Sequence, residues 1–247
     1  MQKIDIILET DDYLVLNKPA GISVHGDGKF STYTVADFIF ENYPKLSDVG
    51  EELEFYGNKI KRPGIVHRLD KDTTGCLVVA KNQETYENLK KQFQDHKTEK
   101  IYHAFVYGSL KENRIIVDSS IGRSKGNIRK WTVGKNARGN IREAKTTFNV
   151  IKRIGIFEEK GSTEKGVYCF LECIPFTGRT HQIRVHLKSI NHPIVCDSLY
   201  AENRESALGF KRLALHAYSL SFFNRNSEKV TCIAEYPEDF KNAVAIR

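Results

Sequence analysis

The chain has 247 residues, 40% hydrophobic and 28% charged, with no apolar run of membrane-spanning length; this excludes a disordered chain and leaves room for a sizeable core. Lysine and arginine number 38 against 31 acids, a formal net charge of +7 that points weakly to a polyanionic partner. The five cysteines form no C-x-x-C pair, which argues against a disulfide framework or a zinc ribbon; with no apolar leader in "MQKIDIILETDD", a cytoplasmic protein with reduced thiols is expected.

"DIILETDDYLVLNKPAG" predicts two short strands joined at Asp11-Asp12 and closed by Lys18-Pro19-Ala20-Gly21. Residues 26–31 read as loop, and "TVADFIFENY" as a helix capped by Thr32 or Thr34. Residues 44–63 read as a polar connection. "CLVVAK" is a strand, and "NQETYENLKKQFQDH" an amphipathic helix with Asn82 as N-cap and Tyr86, Leu89 and Phe93 on one face. "IYHAFVYGSL" and "GVYCFLECIPF" alternate as strands, the second with Val167, Cys169, Leu171 and Cys173 on one side. "TGRTHQIRVHLKSIN" predicts a helix capped by Thr180, with Ile183, Leu187 and Ile190 facing the core and Asn191 at its end. "RLALHAYSLSFF" and "KVTCIAEY" close the chain as strands. Strands outnumber helices without regular βα alternation, so an α+β fold with a mostly antiparallel sheet, in a single domain over 1–247, is expected.

Chemistry concentrates in three places. "GIVHRLDKDTTG" sets His67, Arg68, Asp70, Lys71 and Asp72 within six positions, directly before an apolar strand. A carboxylate is ionised at neutral pH and can attack without a base to activate it; the plain alternative is a polar turn. Asp70-Lys71-Asp72-Thr73-Thr74 also fits the D-x-D-x-T of Mg²⁺-dependent phosphohydrolases. Those enzymes need an apolar strand before the first aspartate, and here His-Arg-Leu precedes it.

The second place is the helix from Thr180. His181, Arg184 and Lys188 lie oblique to its apolar side, and Gly178-Arg179 precede a helix start suited to phosphate; a solvated basic face is the plain reading. His181 and His186 are five apart, not the i, i+4 of zinc ligands, so no metal is assigned. The third place is the basic stretch 123–145, which includes Arg129 and Lys130 and has Trp131 and interspersed glycines against Glu143 as its only acid. Such a segment suits RNA phosphates, or is a solvated hairpin. In "TEKIYHAFVYG", alternation buries one of Tyr102 and His103.

Taken together, "DDYLVLNKPAGISVH", "PGIVHRLDKDTTG", "KIYHAFVYG", "TGRTHQIRVHL" with "HPIVCDSLY", and "RLALHAYSLSF" resemble the RluA-type pseudouridine synthases in family order. The resemblance implies a bent, mostly antiparallel central sheet with flanking helices and loops and an active-site cleft across it. It implies an isomerase acting on uridines of large-subunit ribosomal RNA, or of tRNA, with no cofactor and no metal. By the same resemblance Asp70 is the nucleophile, Arg68 helps flip the target nucleotide, Tyr102 packs on the uracil and is a candidate base, and Arg184 pairs with the aspartate. His67, Arg179, His181, Arg129 and Lys130 join Arg68 as substrate-binding candidates. RNA is the expected partner, of a monomer without membrane attachment or an obligate protein partner; no S4 module is expected before the first strand. Thr74 stands where serine is common, Cys196 and Ala201 replace glycines of a G-D-x-x-Y-G run, and Asn224-Arg225 replaces a frequent His-Pro. Two rival classes remain: an RNA-binding module without catalysis, and the phosphohydrolase.

Overall fold

The structure is a computed structural model that describes residues 3–26, 32–55, 58–157 and 164–246. All but Gly26 of the loop expected at 26–31 lies outside the described residues. In chain order the elements are β1 (Asp5–Glu9), β2 (Tyr13–Lys18), α1 (Val35–Asn42), β3 (Leu53–Phe55), β4 (Asn58–Ile60), β5 (Thr74–Ala80), α2 (Gln83–Gln94), β6 (Glu99–Tyr107) and β7 (Arg114–Asp118). There follow β8 (Ile121–Ser124), β9 (Trp131–Val133), β10 (Ala137–Arg142), β11 (Lys145–Phe157), β12 (Glu164–Pro175), α3 (Gln182–Ser189), β13 (Leu215–Phe223), β14 (Lys229–Ile233) and α4 (Glu238–Ala245). The fold is α+β and its sheets are mostly antiparallel, as expected. The chain divides into two compact units, residues 1–99 with 217–235, and residues 100–216 with 236–247.

In the first unit β1 pairs with β2 and β2 with β5, both antiparallel, and β13 lies beside β5 and pairs with β14. Asp11 and Asp12 make the turn between β1 and β2, where Thr10 Oγ1 accepts from the Asp12 and Tyr13 amides at 3.2 and 3.1 Å. Thr34, not Thr32, caps α1: its hydroxyl accepts from the Asp37 amide while the Asp37 carboxylate accepts from the Thr34 amide, satisfying two orphan donors. Asn82 caps α2 as expected, and Tyr86 and Leu89 are buried with half-buried Phe93 against a core of Tyr13, Val15, Val78, Leu220 and Phe222. The polar connection 44–63 contains a short 3-10 turn and the β3–β4 hairpin.

The second unit is built on β6, β12, β11 and β7, antiparallel throughout. β6 is inward at His103 and half-buried at Tyr102, so alternation resolves as expected. Cys169, Leu171 and Cys173 are buried on β12, with Val167 half-buried at its start. A separate three-stranded sheet, β10-β8-β9, carries most of the basic stretch. The chain does not end in strands. α4 follows β14 and buries Phe240 and Ala243, an i, i+3 pair behind Pro237-Glu238-Asp239 whose acids favour a helix start.

Candidate active site

β5 is buried at all seven positions, so the charged run before it cannot join the strand without carrying charge into the core. It forms an irregular loop instead. Ile65 is fully buried and bridges Val79, Leu69 is 4% exposed, and the Thr73 amide closes a turn on the Asp70 carbonyl at 3.1 Å. Two glycines permit this path. Gly64 has φ +65° and a Cβ there would sit 2.0 Å from the Ala80 carbonyl oxygen. At Gly75, φ +115°, a Cβ would sit 2.1 Å from the Ala217 carbonyl oxygen.

Lys18, which in the sequence marks only a turn, holds the loop from below. It is fully buried, and its ammonium donates to the carbonyls of Pro19 (2.7 Å), Ile22 (2.8 Å) and Lys71 (2.9 Å). The Lys71 carbonyl also accepts from the Gly21 amide at 2.9 Å. The "NKPAG" and "HRLDKD" segments are therefore one assembly. A signal for it exists: Leu14, Leu16 and Lys18 share a face of β2, which puts a lysine on the buried parity.

On this loop Arg68 is exposed, and Asp70 and His67 are half-buried. His67 Nε2 accepts from the Val78 amide at 3.0 Å and its ring stacks on Phe93 at 4.4 Å, so it braces the loop against β5 and α2. Burial pulls His25 below the usual imidazole range despite its hydrogen bond to the Gly26 carbonyl, and the Arg68 and Arg62 guanidiniums add to the effect. Arg62 is likewise lowered, first by burial, and its Nε is buried without a hydrogen-bond partner. This corner of the first unit is electropositive.

In the second unit, α3 begins one residue later than expected. Its N-cap is His181, not Thr180, with φ +54° and no side-chain cap. Gln182 organises the approach: its Oε1 accepts from the Arg179 amide (3.0 Å) and Thr177 hydroxyl (2.6 Å), and its Nε2 donates to the Lys145 carbonyl and Thr146 hydroxyl, both at 3.0 Å. The plain reading of a solvated basic face fails for Arg184, which is only 6% exposed. Its Nε and one terminal amine form a fork on Asp197 at 2.8 and 2.9 Å, and its guanidinium lies 5.1 Å from the Tyr200 ring centre. Asp197 also accepts from the Leu199 and Tyr200 amides. The Tyr200 hydroxyl meets His181 Nδ1 and accepts from the Trp131 amide, both at 3.0 Å. Arg184, His181 and the basic sheet thus share Tyr200. In the sequence Asp197 and Tyr200 stand out only within the "CDSLY" of a resemblance; an acid thirteen residues from its arginine has no periodic signature. Asn191 follows the helix with φ +63°, as an asparagine beyond a C-cap does. His186 is fully buried between the Thr146 hydroxyl (2.9 Å) and the Ser119 carbonyl (3.0 Å), a core role.

Tyr102 lies opposite Cys173 in the β6–β12 register. Its neighbour His103 turns inward, meets the Tyr236 hydroxyl, and is pushed down to about 4 by burial. Two residues before Tyr102, burial and then the Arg179 guanidinium pull the Lys100 ammonium down to about 8. The Lys100 Nζ lies 4.0 Å from where a Gly178 Cβ would stand. Arg179 is itself fixed by donation from Nε to the Glu143 carbonyl at 3.0 Å.

The basic stretch is less uncompensated than its own sequence indicates, because the fold brings acids from elsewhere. Lys130 pairs with Glu202 at 2.6 Å and Lys145 with Asp118 at 3.3 Å. Arg129 is exposed, and the Arg123 guanidinium lies 4.8 Å from the centre of the half-buried Trp131 ring. Among the described residues no three side chains of metal-ligating type converge. The candidates therefore form two groups: His67, Arg68 and Asp70 in the first unit, and Tyr102, Arg129, Lys130, Arg179, His181 and Arg184 in the second.

An aspartate loop flanking a buried strand, with cationic side chains nearby, on an antiparallel α+β scaffold is an arrangement that can serve an enzyme acting on an anionic substrate, and sequence comparison gives the class. The RNA pseudouridylate synthase family profile matches residues 12–189, and the chain belongs to that family. It is an RNA pseudouridine synthase, an isomerase. An RNA pseudouridine synthase of Synechocystis sp. is 37% identical over 239 residues, covering 96% of this chain and 67% of the relative. A ribosomal large subunit pseudouridine synthase D of Zymomonas mobilis is 36% identical over 248 residues, covering 96% and 71%. The chain thus spans two thirds or slightly more of these relatives' length. The structure of human RNA pseudouridylate synthase domain containing 1 has the same fold, with a TM-score of 0.71 at 24% identity over 95% of this chain and 84% of the human one. The phosphohydrolase reading is set aside: the residues before Asp70 form a loop, and the strand follows the motif.

Proposed function

We propose that this protein isomerises specific uridines of structured ribosomal RNA, with Asp70 as the nucleophile acting on a flipped-out nucleotide. The observation that carries the reading is the loop itself: a carboxylate on a turn pinned by Ile65, Leu69 and the buried Lys18. Relatives named ribosomal large subunit pseudouridine synthase D support ribosomal RNA as the substrate.

The reaction cleaves the C1′–N1 bond, turns the uracil, and joins C1′ to C5; N1 gains a proton and C5 loses one, so product and substrate are isomers. A base cannot turn within a stack, and extruding it costs about a few kcal/mol. Arg68, exposed on the same loop, is suited to occupy the vacated place or hold the displaced strand. Asp70 either bonds transiently to ribose or uracil or promotes elimination at the sugar. Tyr102 packs on the uracil, and Arg184 orients the carboxylate. The fork on Asp197 uses two of a guanidinium's five donors, which is compatible with a second carboxylate partner.

The test is Asp70→Asn, which keeps shape but is a far poorer nucleophile. Tritium release from RNA labelled at uracil C5 should cease while RNA affinity and melting temperature hold; turnover near wild type removes Asp70 from the mechanism. Mapping pseudouridines in cells with and without the protein identifies the RNA, and a site lost only from tRNA overturns the ribosomal assignment.

A further inference from the structure

The second unit carries a cleft of about 540 Å³ that shares only Lys130 with the two groups of candidate residues and is bordered by β9, the end of α3 and residues 199–204. Its size lies within the roughly 300–1,000 Å³ typical of small-ligand sites. Its base is apolar, with Val185 and Tyr200 in a small core against which Trp131, Val133 and Leu199 pack. Its rim is polar and positive. Lys130 is neutralised by Glu202, but Lys188 and Arg204 are exposed and neither has a carboxylate partner among the described residues. Arg204 is held in place by its guanidinium lying 5.5 Å from the Tyr107 ring centre. Two such cations beside a half-buried indole match the way proteins hold single-stranded nucleic acid, a base on an aromatic and phosphates on nearby charges.

We propose that this cleft binds a single-stranded nucleotide of the RNA substrate other than the target uridine, with its base against Trp131 and its phosphates on Lys188 and Arg204. The inference rests on the RNA reading above. The cleft is built independently of the aspartate loop: its walls are fixed by the Tyr200–Trp131 hydrogen bond and the Lys130–Glu202 pair. An aromatic wall accepts any base, so the cleft supplies affinity and register for the flanking strand, not discrimination of the uracil.

The experiment compares wild type, the surface double variant Lys188→Glu/Arg204→Glu, and Trp131→Ala on the transcribed RNA fragment that wild type modifies. Affinity is measured over a salt series, and the single-turnover rate at saturating RNA. The double variant should bind at least tenfold more weakly, and its slope of log affinity against log salt should shrink by about 1.4, roughly 0.7 for each phosphate of a single strand that is no longer neutralised. Its saturating rate should stay within about twofold of wild type. Trp131→Ala should weaken binding about tenfold, since a stacked base contributes roughly 1–3 kcal/mol, with the slope unchanged. A double variant with wild-type affinity and slope overturns the site. A lowered slope with no effect of Trp131→Ala, or of Trp131→Leu should the alanine variant not fold, overturns the placement of the base. Wild type that neither binds nor modifies any RNA fragment is the separate failure of the functional reading, and it shows in the control before any variant is compared.

Discussion

The Asp70 loop of the first unit and the turn around Arg184 in the second, both proposed to serve catalysis, are fixed in different ways. The loop is held mainly through backbone: the Lys71 carbonyl on Lys18 and Gly21, the Ala80 amide on the Gly64 carbonyl, and glycines where no Cβ fits. Arg184 is held by side chains: a fork on Asp197, the Tyr200 ring, and Gln182 stitching the preceding turn. Backbone fixation sets the path of the loop that carries Asp70. Side-chain fixation sets the direction of the guanidinium and makes it sensitive to any change of shape.

The largest effect that probes this contrast should come from Lys18→Met. Methionine fills the volume but leaves the Pro19, Ile22 and Lys71 carbonyls without their charged donor, in a buried place. Each buried carbonyl left without a donor costs about 1–3 kcal/mol, and the Pro19 and Ile22 carbonyls lose theirs, so urea unfolding should show a loss on the order of 3 kcal/mol. Turnover should fall as well, measured where the variant is still folded, because the loop then lacks its lower anchor. A loss under about 1 kcal/mol, the net worth of one ordinary hydrogen bond, would show that glycines and ladder bonds alone set the loop.

Arg184→Lys probes the other side. An ammonium keeps the charge but cannot make two parallel bonds to Asp197. With RNA affinity preserved, single-turnover rate should fall on the order of a hundredfold if misplacement approaches an ångström. Asp197→Asn should lower the rate in the same direction, since it loosens the fork without altering Arg184. An undiminished rate in Arg184→Lys would leave the arginine a charge for RNA and sink its role in aiming Asp70.

The same contrast explains what is legible in the sequence. β1, β2, β5, β6, β12, β13 and β14, with α1 and α2, are readable because their signals are local: alternation, Thr34 with Asp37, and Asn82 before an amphipathic run; β3, β4 and β7 to β11 are not among the strands the sequence predicts. So is the aspartate loop, whose charges and glycines are consecutive. Burial of Arg184 is not legible, because the partner that makes it tolerable, Asp197, lies beyond the helix with no period connecting them. Lys18 and Lys100 escape notice for a related reason: a lysine's local prior is the surface, and only tertiary carbonyls or a neighbouring cation mark these two as different. The helix α4 is hidden because its apolar pair is short, although its acidic start is visible. Counting acids within 123–145 alone overstates the free charge, since Glu202 and Asp118 arrive through the fold.

The smallest effect concerns the turn that presents Asp197. Cys196 stands where the family resemblance carries glycine, and its φ is +57°, in the region L side chains rarely adopt. Its amide donates to the Tyr107 hydroxyl at 3.2 Å, and its thiol to the Phe210 carbonyl at 3.2 Å, bonds that help hold the strained backbone. A left-handed conformation costs a side-chain-bearing residue roughly 1 kcal/mol relative to glycine. Comparing Cys196→Gly with Cys196→Ala isolates that cost, because both remove the thiol and only one removes the Cβ. The glycine variant should be more stable than the alanine variant by about 1 kcal/mol in urea unfolding, even though glycine is ordinarily the worse residue for the unfolded chain's entropy. Because Asp197 follows directly, the glycine variant should also keep the wild-type single-turnover rate. Alanine equal to or better than glycine would mean that the backbone at this position relaxes out of the left-handed region, and that the turn aiming Asp197 at Arg184 is softer than its side-chain contacts make it.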